Sequence, residues 1–414
     1  MKKLIFHVDV NSAFLSWEAA RRVKAGEEDL RAIPSAVGGD REKRTGVILA
    51  KSIPAKKYGI KTGEPVSAAL RKCPNLVLVR PDFRLYEQCS RAFMDICRSY
   101  APVVEKFSID ECFLDMSGTE RVYPDPVATA YEIKNKIRDQ LGFTVNIGVG
   151  SNKLLAKTAG DFEKPDRVHT LFDHEVEQKL WPLPVRELLS VGHATAERLE
   201  RANIKTVGAL AHADPRWLRD YMGEKMGEHL YRYANGVDDS PVLAEPEQAK
   251  GYSNSITLEE DVVNETQAHK ILLELADSVA SRMRADGARA YCVAVTVRGN
   301  DFRDRSHQKR LETATDITDE IYAVSKRLFA ELWDRRTPLR LMGLALTNIS
   351  REGEEQITMF PDEKKERARR IDRAVDSIRG KFGPDTIIRG TTVGSDGRIG
   401  RKFKARDQEK NNRE

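Results

Sequence analysis

The sequence has few cysteines and none in a paired spacing: positions 73, 89, 97, 112 and 292 make an odd number with no Cys-x-x-Cys. This argues against a disulfide framework and a structural zinc site, and fits a reducing compartment. No apolar run approaches the length of a membrane span. The apolar stretch after Met1-Lys-Lys is broken by His7 and Asp9 too early for a signal peptide, so the expected location is the cytoplasm, with no membrane contact. Neither sign of charge dominates. With 69 basic and 64 acidic residues the net charge is +5, compatible with a polyanionic partner but not diagnostic of one. The chain does contain enough for several cores: 414 residues, 40% hydrophobic and 32% charged, imply two to four soluble domains.

Residues 4–10 read as a buried strand that exits sharply into a helix from Asn11 to Ala20, with Asn11 or Ser12 as N-cap. Stretches 33–39 and 46–50 are β-rich and precede a basic, Gly-bounded segment at 51–60, a small subdomain interrupting the sheet. Strand character resumes at 76–80. A helix at 86–100, a hairpin carrying Asp110 and Glu111, a helix at 128–141 and a strand at 145–150 complete a mixed sheet with helical cover. After Leu171 come short helices at 176–180, 185–189, 194–202, 207–211 and 225–234. Residues 236–250 have linker composition. Beyond them, long helices at 267–284 and 316–332 and strands at 290–297 and 340–349 form a separate α+β domain. Ile371, Val375, Ile378 and Phe382 keep a helical period, and the last nineteen residues, with seven basic and four acidic side chains, have the composition of a disordered tail.

Three acids stand out. Asp9 ends the first apolar strand, and Asp110 and Glu111 interrupt Phe107-Ser-Ile-Asp-Glu-Cys-Phe-Leu-Asp115. Each could be a helix cap or a polar turn. On neighbouring strands, however, their charges would repel unless cations lay between them. Carboxylates with no local Cys/His cluster suit hard, oxygen-seeking ions such as Mg2+, which points toward phosphoryl transfer.

Those two segments, Val8-Asp-Val-Asn-Ser-Ala-Phe14 and Phe107 to Asp115, resemble the catalytic motifs of Y-family DNA polymerases of the bacterial polymerase IV branch, and the likeness extends over roughly residues 1–360. It implies an α+β multidomain right hand: a palm at 1–10 and 71–166, small fingers at 11–70, a helical thumb at 167–235, a linker at 236–248, a little finger at 249–349, and a clamp-binding motif with basic tail at 350–414. It further implies template-directed, low-fidelity translesion synthesis from deoxynucleoside triphosphates by a monomer on primer-template DNA. Two Mg2+ ions would be held by Asp9, Asp110, Glu111 and the Val10 carbonyl.

By the same resemblance Phe14 is the steric gate, a ring filling the space of a 2′-hydroxyl. Ser52-Ile-Pro-Ala-Lys-Lys-Tyr-Gly59 matches the family's Ser-Tyr-Glu-Ala-Arg-Lys-Phe-Gly, so Lys56 stands for an arginine and Ile53 for a tyrosine at the triphosphate. Lys164, before a proline, would meet the triphosphate, with Ser151, Lys153 and Lys157 as weaker candidates. Leu188 to Leu199 resembles a helix-hairpin-helix in which Gly192 is kept and Ser190 replaces the first glycine. Glu259 departs from the usual entrance to the little finger. Arg298, Arg303, Arg305, Lys309 and Arg310 form a basic patch suited to phosphates, the last four read as a turn. Gln356-Ile-Thr-Met-Phe360 resembles the family's sliding-clamp peptide, with Gln356, Met359 and Phe360 as anchors. Two rivals stand beside this reading: a nucleotidyl cyclase or nuclease on the same acids, and a non-catalytic DNA- and clamp-binding relative. A cyclase has no need of a duplex-holding second domain, and a nuclease none of a steric gate.

Overall fold

The structure, a computed structural model, describes residues 3–39, 46–351, 363–383 and 386–392. It falls into two compact units, the described residues up to 246 and those from 247 onward. Among the described residues no helix is long and apolar enough to cross a membrane.

In the first unit, β1 (Ile5–Val10) leads into α1 (Ala13–Lys24), followed by β2 (Ser35–Gly38), β3 (Ile48–Lys51), α2 (Ile53–Lys57), α3 (Val66–Lys72) and β4 (Val77–Val79). Then come α4 (Phe83–Arg98), β5 (Val103–Lys106), β6 (Glu111–Asp115), α5 (Pro126–Leu141), β7 (Val145–Gly150), α6 (Lys153–Asp161) and β8 (Val168–Leu171). The main sheet has the order β5-β6-β1-β7-β8, with only its β7–β8 pair parallel. A second sheet, β3-β2-β4, holds the small subdomain together. β4, which the sequence reading groups with the palm, pairs in parallel with β2 instead. Its short apolar run fits either sheet, and only the partner strand decides between them.

Side chains alternate across β1, so its two faces do different work. Phe6, Val8 and Val10 join Cys112, Leu114, Val145, Ile147 and Val149 in a buried core under α1, α4 and α5. Burying each large side chain stabilises the unit by about 1.5–3 kcal/mol. On the opposite face lie His7 and Asp9, with Glu111 and Asn146 directly across from Asp9 on either side. α6 covers this face at backbone distance: a Cβ at Gly148 would lie 1.9 Å from the Ala156 carbonyl oxygen. Only glycine permits that approach.

Ser12 is the N-cap of α1, as one of the two expected candidates, but it sits at φ 47° and its hydroxyl makes no capping bond. Asn11 does not cap either, because its amide is engaged elsewhere. Its Nδ2 donates to Asn146 Oδ1 at 3.0 Å, while its Oδ1 accepts from the Thr144 hydroxyl at 3.0 Å and the Asp166 N–H at 2.9 Å.

Four helices, α7 (His193–Arg201), α8 (Val207–Ala211), α9 (Pro215–Met222) and α10 (Glu224–Ala234), close the unit around Leu188, Leu199, Val207, Leu210, Leu218 and Leu230. The periodicity missed α9, whose buried residue is Leu218 alone. Asp214, capping the Arg216 N–H, and Pro215 at the first position carried its start signal. The first part of the expected linker is held down: the Leu243 N–H donates to Glu105, whose carboxylate Lys153 grips at 2.7 and 2.8 Å.

The second unit contains β9 (Gly251–Val262), α11 (Glu265–Ala285), β10 (Ala288–Gly299), β11 (Asp304–Thr315), α12 (Thr318–Leu332), β12 (Leu339–Arg351) and α13 (Glu363–Phe382). Its antiparallel sheet, β11-β10-β12-β9, packs one face on α11 and α12 through Val293, Val295, Val297, Met342, Leu344 and Leu346. Arg305, Lys309 and Arg310, expected in a turn, lie within β11. The charged, nearly unbroken exposure of this edge strand hides the alternation that would mark it.

The helical period at Ile371, Val375, Ile378 and Phe382 is realised in α13, yet Ile371 and Phe382 are 55% and 73% exposed. α13 is held by charge instead. Arg284, nearly buried, meets Asp376 at 2.6 Å and Asp372 at 3.3 Å, and Arg379 meets Asp277 at 2.7 Å. Buried charges persist when several partners satisfy them, as here.

Candidate active site

The strand register brings the acids together. Asp9 and Glu111 are cross-strand partners, and the Val10 N–H donates to the Asp110 carbonyl at 3.0 Å. Asp110 precedes β6 in a tight turn in which the Ser108 hydroxyl donates to its Oδ1 at 2.6 Å and accepts from the Glu111 N–H at 3.1 Å. A cavity of about 400 Å³ opens beside them, walled by Asp9, Val10, Phe14, Ile53, Lys56, Asp110 and Lys164. Seven of the residues singled out from four separated stretches of sequence thus line one cavity. Glu111, on the same sheet face as Asp9, is not among the lining residues.

Two lysines neutralise two of the three acids. Lys164 pairs with Asp9 and, at 2.8 Å, with Asp161. Lys157 pairs with Glu111, which also accepts from His7 Nε2 at 2.8 Å. Burial works against ionisation of Glu111, but the bonds from His7 and Lys157 outweigh it and hold the carboxyl at about 2. At Asp9 burial prevails over Lys164 and raises its value, whereas Lys164, desolvated too, is raised by Asp9 and Asp161. Both values move upward, which disfavours charge on Asp9 and favours it on Lys164; we take the pair as charged because the half-exposed ammonium keeps its proton. Among the described residues no three Asp, Glu, His or Cys side chains converge as ligands of one ion. The donor set nevertheless fits hard cations: carboxylate oxygens alone, with Asp9 and Asp110 on the same cavity wall.

Phe14 stacks on Tyr86, ring centroids 4.6 Å apart and 13° from parallel, with Trp17 and Phe83 around them. Its ring is therefore held rather than free to swing. Ile53 is 58% exposed on the first turn of α2, an apolar surface at the cavity rim. Lys164 owes its place to Asn146, which sequence reasoning overlooked, and to Asn11, which it took for a helix cap: Asn146 Nδ2 donates to the Glu163 carbonyl at 2.6 Å, and Asn11 Oδ1 accepts from the Asp166 N–H. His7 was overlooked as well. The available signal was period two, since residues 7 and 9 of one strand share a face. Lys157, a weaker candidate, touches Glu111, while Lys153 and Ser151 serve other contacts, with Glu105 and Asp173.

Elsewhere, Gly192 begins α7 with open space around its Cα, and Ser190 adopts φ 74°. The left-handed turn is thus kept without glycine, at a cost of roughly 1–2 kcal/mol. In the second unit the register divides the basic patch. Arg298 lies on the face away from the helices, chelated by Asp304 at 2.6 and 2.7 Å, and Arg303 stands in the preceding turn. Arg305, opposite buried Val297, falls on the helix side and meets Asp334 at 3.2 Å. Gln356, Met359 and Phe360 lie outside the described residues.

The fold is that of a Y-family DNA polymerase: a solved Y-family chimera of Dbh and Dpo4 matches 84% of this chain and 100% of its own with a TM-score of 0.72, at 24% identity. Family models match in three places. The impB/mucB/samB family covers residues 8–161 and its C-terminal domain 249–359, and the thumb domain described for DNA polymerase-iota covers 186–238. DNA polymerase IV of Clostridium acetobutylicum is 43% identical over 392 residues, 94% of this chain and 98% of that protein. DNA polymerase IV of Clostridium kluyveri is 37% identical over 402 residues, 95% and 99% of the two. The chain belongs to the impB/mucB/samB family of Y-family DNA polymerases, on its DNA polymerase IV branch.

Proposed function

We propose that the protein is a DNA-directed DNA polymerase that adds deoxynucleotides to a primer 3′ end and tolerates damaged template. The observation that carries this is the cavity shared by Asp9, Val10, Phe14, Lys56, Asp110 and Lys164. Two Mg2+ ions held by Asp9, Asp110, Glu111 and the Val10 carbonyl would lower the pKa of the primer hydroxyl and stabilise the leaving pyrophosphate. Lys164, paired with Asp9 in this structure, would meet the triphosphate, and Lys56 would supply a second point charge there. The ring of Phe14, immobilised on Tyr86, excludes a 2′-hydroxyl.

The same reading assigns the duplex to three surfaces. The open N-terminus of α7 at Gly192 receives a backbone phosphate. The face of the second sheet away from its helices is lined by Ser253, Ser255, Thr257, Thr296, Gly343 and Thr347, small side chains that suit close, sequence-independent contact. Arg298 and Arg303 supply charge at its margin, whereas Arg305, on the helix side, is paired with Asp334. Gln356, Met359 and Phe360 tether the enzyme to a sliding clamp, and the protein works as a monomer in the cytoplasm.

Primer extension with Mg2+ and four deoxynucleotides, on intact and lesion-bearing templates, tests the core of this reading. Template-dependent extension past a lesion is the expected result. Cyclic nucleotide or cleaved DNA in its place would establish the rival chemistry, and duplex binding without extension the non-catalytic one. Met359→Ala with Phe360→Ala should remove the gain that added clamp gives on circular primed DNA while sparing short-template synthesis.

A further inference from the structure

We propose that His7 is a positioning residue for Glu111: with Lys157 it pins one carboxylate oxygen, Oε2, and so presents the other, Oε1, to the metal. The inference rests on the two-metal reading above. Its basis is where the contacts fall. His7 Nε2 lies 2.8 Å from Glu111 Oε2, Lys157 reaches the same oxygen, and neither touches Oε1. A carboxylate accepts and cannot donate, so the proton of this bond sits on His7 Nε2.

The ring is completely buried, and its Nδ1 has no hydrogen-bond partner among the described residues. Leaving a buried polar atom unpaired costs about 1–3 kcal/mol, which an apolar ring at this position would avoid. The surroundings are nonetheless built to hold imidazole. Phe113 packs against the ring with centroids 4.8 Å apart. On the other side, a Cβ at Gly160 would lie 3.2 Å from Nδ1, so glycine leaves the ring its room. A side chain that burdens the fold, on the face of β1 shared with Asp9 and bonded to a metal-ligand candidate, is accounted for by orienting that ligand. Groups one shell behind a metal commonly govern its affinity in this way.

The test compares parent, Glu111→Ala, His7→Phe and His7→Gln in complex with primer-template DNA and an incoming nucleotide on a primer lacking its 3′-hydroxyl. Mn2+ binding is followed by electron paramagnetic resonance and stability by thermal melting. His7→Phe keeps the ring and removes the donor. It should stay folded while binding the Glu111-dependent Mn2+ about tenfold more weakly. His7→Gln, which restores an N–H, should recover most of that loss. Mn2+ affinity within twofold of the parent in His7→Phe, or no recovery in His7→Gln, overturns the proposal. Should His7→Phe fail to fold, nitrogen-15 spectra of the parent decide: a neutral ring protonated at Nδ1 instead of Nε2 overturns it, and the Nε2–H form upholds the bond. Absence of any Glu111-dependent Mn2+ site in the parent would instead defeat the two-metal reading itself.

Discussion

The two large sheets are built alike on one face and oppositely on the other. Both pack one face on helices through aliphatic side chains. In the first unit α6 also covers part of the second face, so His7 and Asn146 are fully buried beside Asp9 and Glu111. In the second unit the corresponding face is left open and carries Ser, Thr and Gly. Burial lets a few polar groups fix one another to a single geometry, as chemistry at one atom requires. An open face of short side chains gives up that fixity and gains a surface that a regular polymer can slide along.

The largest expected effect falls at the cavity beside the buried face. Asp110→Ala should reduce single-turnover extension by at least about a thousandfold. Duplex binding, measured by fluorescence anisotropy, should stay within twofold, because the contacts assigned to the duplex lie elsewhere. Extension near the parent rate would remove Asp110 from the chemistry.

Glycines sharpen the contrast next. Gly148→Ala forces a Cβ against α6 backbone and should destabilise the first unit by about 3 kcal/mol or more. Gly343→Ala, whose Cβ would lie 3.1 Å from that of Ser255, needs a shift of only a few tenths of an ångström and should cost about 1 kcal/mol. Equal losses in denaturant titrations would show that the two faces are equally closed.

A smaller effect is expected at the open sheet. Arg298→Ala should lower the salt dependence of duplex binding by about one ion and weaken binding equally on unrelated sequences. The insertion rate of the bound complex should not move. Sequence-dependent loss would mean that this arginine reads bases.

The smallest effect concerns acid. The folded value of Glu111, about 2, lies below its ordinary 4.5, so its bonds stabilise the protein fully above pH 4.5 and lose that contribution as pH falls toward 2. Glu111→Gln should therefore differ most from the parent in urea midpoint near neutrality, with the gap closing between pH 4.5 and 2. A gap that is constant across this range would place the carboxylate's stabilisation elsewhere.

Much of this molecule was legible in its residues. The apolar run of Phe6, Val8 and Val10 marked β1, and two acids between apolar runs marked the turn before β6. These are local patterns, set by a strand's period and a turn's chemistry, and they survive without knowledge of partners. Pairing is not local. That β4 joins β2, that Asn11 leaves its helix to hold the loop of Lys164, that Arg305 and Arg298 part to opposite faces, and that α13 docks by Arg284 with its isoleucines outward were all decided by which strand or helix came to lie alongside. Such contacts join residues that may be 155 positions apart, as in Asp166 to Asn11. Their energy depends on distances that only the folded chain supplies. The sequence by itself determined which side chains could do the chemistry, and the tertiary structure decided which of them face one another, because a hydrogen bond or ion pair acts over a few ångströms and the chain's order says nothing about that scale.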